Sequence, residues 1–242
     1  MPTVAITVDC EAANENRCFT PEIVKIAEEF MVPITWLIYV SEKVPTANAD
    51  LYYREYLHRI PSWHEIGMHV HFENQNGYVE DERERGAIIR MAKDVLKSHL
   101  IKPTSFRAGC FALQASDIKY LEDVGVLVDS SPVPDSDYKL FVDWTGAPHQ
   151  PYHPDPDDVK KPGPSKLLCI PVSIGKNQPA FIDKPDSIAD VIENQAQPGK
   201  VIVLGAHDYV NQVHVLRDAI AALRAKGAKF RTLTDIGSDH VL

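Results

Sequence analysis

The chain is poor in cysteine: Cys10, Cys18, Cys110 and Cys169 are the only ones in 242 residues, and no two form a CxxC pair. That scarcity excludes a disulfide scaffold and a thiolate metal knuckle, and it fits reduced thiols. Long apolar runs are also missing, with nothing near the roughly 18 residues of a membrane span. Met1 leads directly into the strand-like run Thr3–Val8, with no basic and apolar leader before it, so the expected location is the cytoplasm. Positive charge is in deficit: 25 Lys and Arg stand against 34 Asp and Glu, a net charge of −9. With no basic stripe, a nucleic-acid partner is not expected. The 12 glycines never gather into a phosphate-cradling loop. Internal repeats, low-complexity tracts and linkers are absent too, so residues 1–242 are expected to form a single domain.

What is present is ordinary globular material, 44% hydrophobic and 24% charged, laid out in strict alternation. Strand-like runs cover Val4–Val8, Ile34–Val40, Glu65–His69, Thr104–Arg107, Val126–Asp129, Leu168–Val172, Val201–Ala206 and Phe230–Leu233. Several are continuously apolar, as strands buried on both faces must be. Helical stretches separate them. Thr20-Pro21-Glu22 opens one, with Thr20 as its expected cap. Others span Asp81–His99, Ser116–Val124 and Val213–Lys226, the last stopped by Gly227. This alternation predicts parallel α/β architecture, and a closed barrel and an open doubly wound sheet both satisfy it. Residues 131–166 break the rhythm. They hold a dense share of the 18 prolines and are expected to form a long loop over or beside a site.

Chemistry gathers where the strands stop. The first ends Val8-Asp9-Cys10-Glu11, and carboxylates two apart on extended backbone point the same way. The third ends Met68-His69-Val70-His71, again with two candidate ligands at i and i+2. Two imidazoles with one or two carboxylates suit zinc with an open coordination position, and cobalt, nickel or iron accept the same donors. Three more strands end in Arg107, in Asp129 and in His207-Asp208. Active sites of barrels and open α/β sheets lie at the carboxyl ends of strands.

Taken in chain order, these segments resemble the five motifs of the NodB-homology polysaccharide deacetylases (carbohydrate esterase family 4). Thr7–Glu11 is similar to the first, His64–His69 to the second and Phe106-Arg107-Ala108-Gly109 to the third. Val128–Ser131 is similar to the fourth and Val203–Asp208 to the fifth. Leu168–Val172 and Phe230–Leu233 match two further strands of the family. The resemblance implies a distorted (β/α)7–8 barrel. It also implies a hydrolase that removes an N-acetyl or other N-acyl group from an amino sugar with a divalent metal, zinc foremost. Asp9 is then the base, Arg107 its orienting partner, and His207 the acid that protonates the leaving nitrogen. Asp129 fixes the tautomer of that histidine.

Two departures from the family pattern bear on the ligands. Cys10 separates the two acids of the first motif, and Glu73 stands where the family places its second histidine. A His-x-His variant gives the metal Glu11, His69 and His71, with Asp9 and Glu73 open as further ligands. Backbone N–H groups at Gly109 and Cys110 are candidates for stabilising an oxyanion. Trp144 and Tyr152, in the Pro-rich loop, are candidates for stacking on a sugar ring, with packing beneath the loop as the other reading. The expected partner is a small-molecule or oligosaccharide substrate, without a membrane, and a homo-oligomer stays open. Two alternatives stand beside this reading: hydrolysis of a small non-sugar amide, as in allantoinase-like relatives, and an inactive carbohydrate- or protein-binding barrel.

Overall fold

The computed structural model of the protein describes residues 1–12, 17–40 and 56–240. Its frame is a parallel sheet whose strands are short, apolar and mostly buried on both faces. In chain order these are β1 (Thr3–Cys10), β2 (Thr35–Tyr39), β3 (Glu65–Val70), β6 (Ser105–Ala108), β7 (Val128–Asp129), β8 (Leu168–Cys169), β11 (Val201–His207) and β12 (Lys229–Phe230). Between them lie two hairpins, β4 (Glu73–Asn74) with β5 (Gly77–Tyr78) and β9 (Ile174–Gly175) with β10 (Gln178–Pro179).

The strands follow the order β11-β1-β2-β3-β6-β7-β8, with β12 joining β1 as a branch. β1 therefore has three neighbours. β11 runs along its whole length, from Thr3 opposite Val201 to Asp9 opposite His207. On the other side β12 takes Thr3 and Val4, and β2 takes Thr7 to Cys10. The two outer strands, β8 and β11, are not joined by a ladder. Instead the segment following β8 bridges them: Ser173 N–H donates to Val203 O, Gly205 N–H to Ala180 O, and Ile182 N–H to Gly205 O. This is a distorted barrel of the expected kind, closed by irregular chain.

Helices cover the outside. The helix Glu82–Ser98 starts where the sequence predicts, capped by the Asp81 carboxylate accepting from Glu84 N–H at 2.9 Å. Its Arg85 is wholly buried, pairs with Asp117 and lies 3.5 Å over the Phe72 ring. The helix Val213–Ala225 ends as expected, with Gly227 at φ +75°.

Three local expectations need correction. Thr20 does not cap its helix: Phe19 holds that position, while Thr20 is buried inside the first turn and its hydroxyl accepts from the Cys18 thiol. The last strand stops at Phe230, because the Thr232 hydroxyl accepts from Asp235 N–H and starts a helix over Leu233–Gly237. A helix over Pro185–Asn194 was not anticipated. Its signal is in the sequence: a first-turn proline and acid, followed by Ile188, Val191 and Ile192 at helical spacing.

The Pro-rich stretch 131–166 is a long loop, as expected, with only isolated bridges at Tyr152 and Pro154. It is packed rather than draped. Val133, Trp144, Ala147, Tyr152 and Val159 are all buried and belong to the same hydrophobic cluster as the barrel strands. No helix among the described residues is long and apolar enough to cross a membrane.

Candidate active site

Parallel strands put all their carboxyl ends on one rim, and sheet register sets which side chains meet there. Asp9 stands opposite His207, Tyr39 opposite His69, and His69 opposite Arg107. Glu11 and His71 lie just beyond β1 and β3, where the chain turns over that rim. The result is a cavity of about 230 Å³ lined by Asp9, Glu11, His69, His71, Cys110 and His207, among others.

At its floor the Glu11 carboxylate oxygen Oε1 lies 2.8 Å from His69 Nε2 and 3.1 Å from His71 Nε2. Candidate ligand atoms from these three residues all fall within 4.8 Å of one another, the one such group found among the described residues. The tautomer of His69 is set by its other nitrogen. Nδ1 is 3.0 Å from Arg107 O, a carbonyl that can only accept, so Nδ1 carries the proton. His69 Nε2 is thereby aimed at the Glu11 carboxylate oxygen. Two electron-rich atoms at that separation require a cation or a proton between them. A metal-binding histidine shows this arrangement, its far N–H anchored on a carbonyl.

The electrostatics agree. Burial alone would push Glu11 up, but hydrogen bonds and charge from His69 and His71 outweigh it and hold the carboxyl well below the usual range. For His71, burial acts downward, yet the Cys110 thiol and Glu11 raise it to about 10. Glu11 therefore stays an ionised carboxylate in front of both imidazoles. Their donor set, one carboxylate and two imidazoles, fits a zinc-type ion with an open position.

Around this centre, Arg107 is fully buried and every part of its guanidinium is used. Nη1 donates to Asp9 Oδ1 at 2.7 Å, Nε to Ser130 O at 2.8 Å and Nη2 to Ser130 Oγ at 3.0 Å. Asp9 is thereby held at the cavity wall. Gly109, next to Ala108, is required sterically: a Cβ there would lie 2.2–2.5 Å from atoms of the His71 ring. Cys110 and Phe111 follow with φ of 53° and 55°. Consecutive left-handed residues without glycine carry strain, and here they turn the chain over the cavity. Cys110 is half-buried and hydrogen-bonded to His71 and Tyr138, so its side chain is part of the site.

The sequence missed Asp208, although it adjoins His207. It is wholly buried; Oδ1 accepts from Glu11 N–H and Ala12 N–H, both at 2.9 Å, and Oδ2 accepts from the Tyr56 hydroxyl. It thus fixes the turn that carries Glu11. Burial raises its carboxyl to about 6. Phe111, Tyr138, Phe181 and Tyr209 supply aromatic walls that no local pattern announced.

Other expected residues lie elsewhere. Asp129 is wholly buried, but its carboxylate accepts from Ser131 Oγ at 2.5 Å and Ser131 N–H at 3.0 Å, with the Cys169 thiol at 3.7 Å. It makes no bond to His207. Burial, opposed by those bonds, raises it to about 6. Through Ser131, whose hydroxyl accepts from Ala108 N–H, it steadies the backbone leading to Gly109. Trp144 and Tyr152 do not line the cavity. Trp144 is buried and donates to Phe111 O, and Tyr152 is buried and donates to Val159 O, so both pack beneath the loop. Glu73 stands apart from the Glu11–His69–His71 group, accepting from the Tyr39 hydroxyl at 3.4 Å.

No model of a protein family matches the chain, and no curated protein matches it. Solved structures do. A Mycobacterium smegmatis protein assigned to the polysaccharide deacetylases superposes with a TM-score of 0.67 at 19% identity, over 99% of this chain and 90% of the other. The catalytic domain of a peptidoglycan N-acetylglucosamine deacetylase from Eubacterium rectale gives 0.55 at 13% identity, over 96% and 88%. BA3943 from Bacillus anthracis, a CE4 family pseudoenzyme, gives 0.58 at 13% identity, over 98% and 69%. The chain therefore has the NodB-type fold of the polysaccharide deacetylases.

Proposed function

We propose that this protein is a metal-dependent hydrolase that removes an N-acetyl or other N-acyl group from an amino sugar or a sugar-containing metabolite. The observation that carries the reading is the convergence of Glu11, His69 and His71 beside Asp9 and His207 on one rim. Fold alone does not suffice, because a pseudoenzyme shares it. What supports activity is that base, acid and metal ligands occur together in one small cavity.

When bound by Glu11, His69 and His71, a divalent transition metal supplies a Lewis acid and lowers the pKa of water toward ~7. The protein's own groups do the rest. Asp9, aimed by Arg107, accepts a proton from the attacking water. A backbone N–H at Gly109 or Cys110 faces the developing oxyanion, an interaction worth roughly 3 kcal/mol in other hydrolases. His207 delivers a proton to the departing nitrogen, so that it leaves as an amine. The walls formed by Phe111 and Tyr138 suit the apolar faces of a sugar ring.

Acetate release from zinc-loaded protein with N-acetylglucosamine oligomers tests this. Release that drops about 10²–10⁴-fold in Asp9→Asn and in His207→Ala supports the assignments. Release that His207→Ala leaves unchanged contradicts them.

A further inference from the structure

Asp129 is committed to Ser131 and Cys169, and among the described residues no carboxylate bonds to His207. Among the described residues its ring nitrogens make no hydrogen bond or ion pair. Two aromatic rings flank it instead. Phe181 lies 4.9 Å away and Tyr209 5.1 Å away between centroids, each inclined 32° to the imidazole. We propose that Phe181 and Tyr209 are positioning residues that clamp the His207 imidazole between them, replacing the carboxylate as the device that aims the proposed general acid.

The sequence builds this clamp from separate parts. Phe181 is buried and belongs to the irregular segment that closes the barrel; it bridges to Gly205 of β11. A Cβ on Gly205 would lie 2.4 Å from ring atoms of Phe181, so glycine is what lets the ring lie against the strand, two residues before His207. The same ring takes the Arg107 guanidinium at 5.6 Å. Phe181 therefore touches both arms of the site, the arginine that holds Asp9 and the histidine opposite Asp9 in register. Tyr209 closes the clamp from the solvent side, 36% exposed. An imidazole fixed on its faces keeps both edge nitrogens open, so one of them is free to meet the leaving nitrogen. A ring held only by solvent would sample other rotamers and lose that alignment.

This inference rests on the hydrolase reading, and its test separates the two. The first arm needs no substrate: NMR of histidine-labelled protein follows the His207 ring protons, which ring currents shift upfield in the native protein. Phe181→Leu and Tyr209→Leu should move them toward free-histidine values, and Tyr209→Phe should keep them. The second arm is acetate release from zinc-loaded protein with an N-acetylglucosamine trimer. Both leucine variants should lower kcat about tenfold or more with KM within about twofold, and Tyr209→Phe should retain the native kcat. In a His207→Ala background Tyr209→Leu should cost nothing further. Because Phe181 is buried, Tyr209→Leu decides the matter if Phe181→Leu does not fold. Unchanged ring-proton shifts in Tyr209→Leu would overturn the clamp, as would a loss confined to KM. Should native protein release no acetate, the hydrolase reading fails while the NMR arm still decides the clamp.

Discussion

At the residue scale, each ligand of the candidate metal centre is fixed by a neighbouring group. Arg107 O holds His69, Asp208 holds the turn of Glu11, and the bare Cα of Gly109 admits the His71 ring. The third is the sharpest test. Gly109→Ala places a methyl where the imidazole lies, so His71 must move; zinc affinity measured by chelator competition should fall about 10–100-fold, while far-ultraviolet dichroism stays native. Arg107→Met is predicted to act differently. It strands the buried Asp9 carboxylate, and chemical denaturation should report a loss of about 3–5 kcal/mol. Trp144→Ala should cost a similar amount, about 3–5 kcal/mol, yet leave zinc affinity within twofold, because its ring packs under the loop and does not line the cavity.

At the scale of elements, what the sequence revealed follows the range of the interactions involved. Strands announced themselves because burial on both faces demands continuous apolar runs, and their ends could be read as chemistry because parallel strands share one functional rim. Asp9, Glu11, His69, His71, Arg107 and His207 were all identified on that basis, and the structure brings them together. Contacts made across the chain were not legible. Nothing near Asp129 indicates that the Cys169 thiol will meet its carboxylate, and nothing near Phe181 indicates that it will lie on Gly205. Thr20 resembled a cap, but the first turn of its helix is drawn inward where Phe19 N–H donates to Asp208 O. An element-level prediction concerns His64, which joins the approach to β3 to β2. Its Nδ1 accepts from Ile34 N–H at 2.9 Å, a bond only the neutral ring can make. Burial lowers it from 6.5 to about 4. Because the folded value lies below the unfolded one, this stabilising contribution is present above pH 6.5 and is lost as pH falls toward 4. Urea midpoints across that window should decline in the native protein and decline less in His64→Gln, which lacks the titrating ring.

At the scale of the whole molecule, the barrel concentrates its consequences at one place. Closure by residues 173–182, instead of by a further strand, delivers Phe181, Asp183 and Lys184 to the cavity wall. The Pro-rich loop, packed into the common core, backs Phe111 at the cavity wall through Trp144. Fold and site thus come from the same design: strands bring the proposed acid, base and ligands to one rim, and irregular chain shapes what can reach them. Everything proposed about activity depends on a cation held by Glu11, His69 and His71. The most direct test is the metal content of purified protein after incubation with zinc, measured by elemental analysis beside His69→Ala and His207→Ala. The account predicts about one zinc per chain in the native protein and in His207→Ala, and almost none in His69→Ala. A native protein that holds no zinc, or a His69→Ala protein that holds it undiminished, would contradict the metal centre and the hydrolase built upon it.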